Sequence, residues 1–122
     1  MIRLETWGTC GSITSPGRER KRHGGNTSCV RLVGYQDDSP GAYIKDESAS
    51  VILDGGTGLL ALQELLMAGP AGRGKAHLHV VLTHYHWDHI IGLPLFTPLF
   101  VPGNRVTLYG SSEADLRGCV ET

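Results

Sequence analysis

Four side chains able to bind a metal ion fall within six consecutive positions of this chain. They are His84, His86, Asp88 and His89, in the run Thr83-His84-Tyr85-His86-Trp87-Asp88-His89. The run follows His79-Val80-Val81-Leu82, an apolar stretch that reads as a buried strand. Imidazole and carboxylate are the donors that suit zinc and non-haem iron. Three histidines and an aspartate are costly to hold in one turn unless a cation lies between them. His84 and His86 are two apart, so in extended backbone they project to the same side and can share one ion. Asp88 and His89 follow after a bend and can reach a second. One ion would need only three of the four, so the spacing favours a pair. The bland alternative, a histidine-rich surface loop, must gather three of the chain's six histidines and an aspartate by chance.

The motif H-x-H-x-D-H after a hydrophobic strand resembles the signature of the metallo-β-lactamase superfamily of metallohydrolases. Three further segments, Trp7-Gly8-Thr9-Cys10-Gly11-Ser12-Ile13, Gly24-Gly25-Asn26-Thr27-Ser28-Cys29 and Ile52-Leu53-Asp54-Gly55-Gly56-Thr57-Gly58, resemble the N-terminal elements of one branch. That branch holds phosphodiesterase-like members related to tRNA 3′-processing endonucleases and cyclic-phosphate phosphodiesterases. The resemblance runs in order through essentially all 122 residues. It departs at Cys10, where close relatives imply a basic residue. It implies that His84 and His86 hold a first ion and Asp88 and His89 a second. Asp88 also orients the attacking water, which makes it the catalytic candidate. The implied cofactor is a pair of zinc ions, with manganese or iron as alternatives.

Asp54 ends an apolar strand and has two readings. It caps the helix that follows, or it accepts the free N–H of a ligand histidine, as metal-binding imidazoles usually require. The resemblance favours the second. Asn26 reads as a turn residue, which the resemblance places near the metal cleft. His77 and His79 alternate on a strand and read as exposed or capped strand residues, and His23 has no partner at ligand spacing. The basic run Arg18 to His23 reads as solvated loop, with steering of an anionic phosphate as the alternative. Gly55-Gly56-Thr57-Gly58 lacks the spacing and the lysine of a phosphate-binding loop, and that reading is rejected.

The elements that must position these residues follow from periodicity. Ile2 to Trp7 alternates and reads as a first strand, with Gly8 to Gly25 a polar loop and Ser28 to Gly34 a second strand. Turns at Asp37 to Gly41 and at Glu47-Ser48 flank a short strand over Ala42 to Lys45, and another strand runs from Ser50 to Leu53. Two or three of these would make an antiparallel meander. A helix over Gly58 to Ala68 carries a stripe of Leu59, Leu62 and Leu66, joined by Leu65, and Gly69-Pro70 stops it. Pro70 to Lys75 reads as a flexible loop. A strand over His77 to Leu82, the motif and a short helix from Trp87 or Asp88 come next, limited by Pro94 and Pro98. A last strand covers Arg105 to Tyr109, before a helix capped by Ser112 with Asp115 at N3. Strands alternating with helices after residue 50 read as α/β.

Composition excludes several classes. A net charge of -1 and a pI near 6.6 give no global pull toward nucleic acid or membrane. No apolar run approaches the roughly 18–20 residues of a membrane span, and the N-terminus has no secretory signal. Cys10, Cys29 and Cys119 are odd in number and lack C-x-x-C spacing, which fits reduced thiols in a cytoplasm. The 17 glycines are about twice average usage and imply many tight turns.

Length sets the domain expectation. A chain of 122 residues suffices for one small domain, whereas the fold implied by the resemblance is an αββα sandwich of two βα halves. Residues 1–122 are expected to be the N-terminal half. The resemblance implies a further histidine, a bridging aspartate and a last histidine from the second half. After His89 there is no histidine, and the later acids are Glu113, Asp115 and Glu121, so about half of a two-metal site is expected here. The sequence stops at Thr122, soon after the helix capped by Ser112 begins, and this is expected of a fragment of a longer protein or of a site completed by another chain. The expected function of the parent protein is metal-dependent hydrolysis, with a small-molecule or nucleotide phosphodiester as substrate from the branch resemblance. The alternatives are a non-catalytic fragment or subunit that needs a second chain, and an iron-dependent redox member of the same fold. The chain alone is expected to be inactive, and to self-associate or pair with the missing half.

Overall fold

Ile2, Leu4 and Thr6 alternate with Arg3 and Glu5, and the computed structural model, which describes residues 2–14, 24–34 and 49–119, has its first strand there. This strand, β1 (Ile2–Gly8), pairs antiparallel with β2 (Cys29–Gly34), and β2 with β3 (Ala49–Leu53). From β3 the direction is kept. Strands β4 (His77–Val81) and β5 (Arg105–Tyr109) add in parallel, giving one sheet in the order β1-β2-β3-β4-β5. Parallel neighbours need crossovers. Helix α1 (Gly58–Ala68) makes the first, and the motif segment the second. The antiparallel start and the α/β remainder are thus both present. The expected strand over Ala42 to Lys45, its flanking turns and the Arg18–His23 run lie outside the described residues.

One face of the sheet is dry. Ile52, Leu78 and Val80 are fully buried against Leu59, Leu62 and Leu66 of α1. Leu65, expected to join that stripe, is 48% exposed. At helical spacing it sits to the side of the line through Leu59, Leu62 and Leu66. Arg31 is buried on β2 beside its register partner Glu5, with Nη1 3.5 Å from the carboxylate, and its Nε donates to Ser50 Oγ at 3.1 Å. The opposite face carries the rows Leu4, Leu32, Val51, His79, Thr107 and Thr6, Val30, Leu53, Val81, Tyr109 in register. Leu4, Val51 and Tyr109 are exposed on it. Parallel strands normally bury both faces, so this open face is unusual.

Pro70 to Lys75, expected as a flexible loop, is a 3-10 turn over Pro70–Arg73 closed by Gly74 at φ 69°. Proline at its first position presets the backbone for such a turn. Helix α2 (Trp87–Ile90) begins within the motif, with His86 as its extended N-cap residue. Two 3-10 turns follow, Leu93–Leu95 and Thr97–Phe100, each with a proline near its start, and Phe96 between them is fully buried. The last helix, α3 (Glu113–Gly118), is capped as expected, with Ser112 Oγ accepting from the Asp115 amide. Among the described residues, no helix is long and apolar enough to cross a membrane.

Candidate metal centre

Parallel pairing puts the ends of β3 and β4 side by side, since Leu53 pairs with Val81. The residues that follow, Asp54 and Leu82-Thr83, therefore leave the sheet at one edge, where α/β folds place their sites. Asp54 turns sharply there with φ 62°, rare for a non-glycine residue. The residue is buried, and its carboxylate faces the motif. Oδ1 accepts the Thr83 amide at 2.8 Å, and Thr83 Oγ1 lies 2.9 and 3.0 Å from the two carboxylate oxygens. His89 Nδ1 lies 2.9 Å from Oδ2. Helix α1 takes Thr57 rather than Asp54 as its N-cap residue.

These contacts fix two imidazoles. A carboxylate only accepts, so His89 carries a proton on Nδ1 and turns Nε2 toward Asp88, the side on which a cation would take the Nε2 lone pair. The single hydroxyl hydrogen of Thr83 goes to Asp54. Thr83 Oγ1 then accepts from His84 Nδ1, 2.9 Å away, which leaves His84 with Nε2 free as well. The ring centroids of His84 lie 4.6 Å from those of His86 and 4.1 Å from those of His89. Asp88 Oδ2 stands 3.3 Å from His89 Nε2. Two donors on one tetrahedral zinc, with bonds of about 2.0–2.1 Å, stand about 3.3–3.4 Å apart. Donor types and this pairwise spacing fit a divalent cation. The rings nevertheless pack on one another rather than around a centre, and among the described residues no three His, Cys, Asp or Glu side chains are gathered as a ready metal site.

Asp88 Oδ2 also accepts the Ser12 amide at 3.0 Å, from a loop 76 residues earlier in the chain. That hydrogen bond, more than any other contact, holds the Asp88 carboxyl below its ordinary value; partial burial opposes it, and His89 and His86 add to it. Ser12 and Asp54 are the two described non-glycine residues with positive φ, and both touch the motif.

The glycines behind the motif permit close backbone approach. A Cβ on Gly56 would lie 2.3 Å from the Asp88 carbonyl oxygen, and one on Gly92 would lie 2.3 Å from the Gly56 carbonyl oxygen. The Gly55 amide donates to His89 O at 2.7 Å and the Gly92 amide to Gly55 O at 2.8 Å. Gly56 N donates to Ser28 O, Thr57 N to Thr27 Oγ1 and Gly58 N to Thr27 O. These amides are therefore engaged within the protein, in keeping with rejection of a phosphate-cradling loop. Asn26 sits one contact further out, its Oδ1 accepting from Thr57 Oγ1 at 3.2 Å.

Ser12, Thr83 and Tyr85 were not singled out from the sequence. The Tyr85 hydroxyl accepts the Ser111 amide at 2.7 Å and the Ser112 amide at 3.3 Å, tying the motif to the turn after β5. A threonine beside a ligand-type histidine was the one available signal; nothing local marked the other two. His77 and His79 lie apart, on the sheet's open face, bound to Thr107 Oγ1 at 3.1 Å and Tyr109 OH at 2.9 Å. Cys29, buried behind Asp54, has its thiol pushed up to about 12, first by burial and then by the Asp54 charge.

Comparison with curated proteins and with solved structures gives no match. The sequence profile of the metallo-beta-lactamase superfamily matches residues 37–107, which is more than half of the chain and runs from before β3 into β5. Its span includes Asp54, the two histidines whose Nε2 atoms are set free, Asp88, and the glycines packed behind them. The chain belongs to the metallo-β-lactamase superfamily.

Proposed function

We propose that the chain carries the first half of the metal site of a phosphodiester hydrolase, with His84, His86, Asp88 and His89 as ligands and Asp88 as the catalytic carboxylate. One observation carries the reading: the Asp54 carboxylate, directly and through Thr83, leaves Nε2 of both His89 and His84 available to a cation. Partners of this kind orient metal-binding imidazoles. A bound pair of divalent ions, zinc in the first instance, lowers the pKa of water toward neutrality and offsets charge developing on a phosphoryl oxygen. His84 and His86 serve the first ion, and Asp88 and His89 the second. Asp88, an ionised carboxylate held by the Ser12 amide, accepts hydrogen bonds from water and so directs its lone pair. Phosphodiester specificity rests on the likeness of the Trp7–Ile13, Gly24–Cys29 and Ile52–Gly58 segments to the phosphodiesterase and tRNA 3′-processing branch. The three free thiols suit a reducing cytoplasm.

The test is hydrolysis of bis(p-nitrophenyl) phosphate by the zinc-loaded full-length parent protein, because this chain supplies only the first half of the ligands. Zinc-dependent turnover is expected, with a loss of at least about a hundredfold in His86→Ala and Asp88→Asn. Turnover unchanged in either variant would overturn the assignment.

A second reading, in which other polypeptide completes the site, is favoured by the open sheet face bearing Leu4, Val51 and Tyr109.

A further inference from the structure

Ser12 sits at the centre of a three-residue turn closed by the Ile13 amide on Gly11 O at 2.8 Å, with φ 64°. An i to i+2 turn with positive central φ is the rare and strained kind of γ-turn. Serine has no intrinsic reason to adopt it, because its Cβ crowds the backbone there. Strain of this sort persists only where surrounding contacts hold it. Two contacts do so. The Cys10 amide donates to Asn26 O at 2.9 Å, anchoring the loop on the Gly24–Cys29 segment, and the Ser12 amide itself donates to Asp88 Oδ2. The turn aims one N–H at one oxygen, and that oxygen is the one 3.3 Å from His89 Nε2.

We propose that Ser12 is a positioning residue for Asp88: its strained amide fixes Oδ2 at the spacing from His89 Nε2 that a shared divalent cation requires. The inference rests on the metal reading above. Its chemistry is that of an N–H donor to a ligand carboxylate, which stops the carboxylate from rotating and exchanging its oxygens. The serine hydroxyl plays no part in it. What matters is the backbone conformation at position 12.

Two substitutions separate backbone from side chain. Ser12→Gly keeps the N–H and removes the strain, so zinc affinity is expected to stay at the wild-type value. Ser12→Val disfavours positive φ through its branched side chain, so the amide turns away and zinc affinity should fall about tenfold, with the thermal midpoint unmoved. Wild-type affinity in Ser12→Val overturns the proposal, as does an equal loss in both variants. Hydrogen exchange on the zinc-free protein is an independent readout. The Ser12 amide should exchange faster in Asp88→Ala than in wild type, and equal rates would sink the proposal. Failure of the wild-type chain to bind zinc would instead count against the metal reading, leaving exchange alone to decide whether Ser12 holds Asp88.

Discussion

His89 Nδ1 donates to Asp54 Oδ2 at 2.9 Å, joining the end of β3 to the motif helix across 35 residues. Asp54→Ala removes the acceptor and also releases Thr83, so both His84 and His89 lose their orientation. Zinc affinity should fall roughly 10–100-fold by titration. Equal affinity would leave Asp54 with a structural role only.

Gly56 tolerates no side chain, because its Cβ would meet Asp88 O at 2.3 Å and Thr27 Oγ1 at 2.4 Å. Gly56→Ala should therefore push α2 outward and destabilise the protein by about 1–3 kcal/mol in denaturant unfolding. A ΔΔG near zero would show that the backbone relaxes without cost.

Tyr85→Phe deletes the acceptor for two backbone amides of the turn after β5. Leaving such donors unpaired costs about 1–3 kcal/mol where they are buried. Ser111 is exposed, so the lower end is expected, read from the thermal midpoint of the variant.

Cys29 gives stability a pH dependence. An ordinary thiol ionises at 9.0, and the folded one at about 12. The folded state thus keeps a proton that the unfolded state loses. Its contribution is fully present below pH 9 and declines as pH rises toward 12, on the order of 4 kcal/mol across that window. Cys29→Ala should flatten this alkaline limb in urea titrations, whatever the cavity costs at neutral pH. A limb equally steep in the variant would mean that Cys29 is not its source.

The open face yields a test of association. Leu4, Val51 and Tyr109 are exposed on the same side of the sheet, and contiguous apolar surface of this kind marks an interface or an aggregation liability. Sedimentation should show self-association that the pair Leu4→Lys, Val51→Lys abolishes. A monomer at all concentrations would remove the case for a partner on this face.

The fold was legible where side chains repeat. Leu59, Leu62 and Leu66 at helical spacing placed α1 over Gly58–Ala68, the span observed, and Arg105–Tyr109 was likewise read to the residue. Leu65 was misplaced because spacing alone does not fix how wide a stripe the neighbouring sheet can cover. At the site, the ligand-type residues announced themselves by type and offset. The residues that aim them did not. Ser12 acts through a main-chain N–H, Thr83 through one hydroxyl hydrogen, and Tyr85 through an oxygen some 26 residues from its partners. None of these roles leaves a periodic or compositional trace.

The contact of Gly56 with Gly92 and Asp88 also decides from where a reactant can arrive. Main chain touching main chain closes the rear of the motif, and the buried Asp54 seals the floor. On the other side His86 and Trp87 stand exposed, beside a shallow cleft between the Ser12-Ile13 turn and Trp87. Among the described residues the site thus has a wall behind and a wide mouth in front. Approach to the motif is therefore from the Trp87 side, over His86 and the Ser12-Ile13 turn.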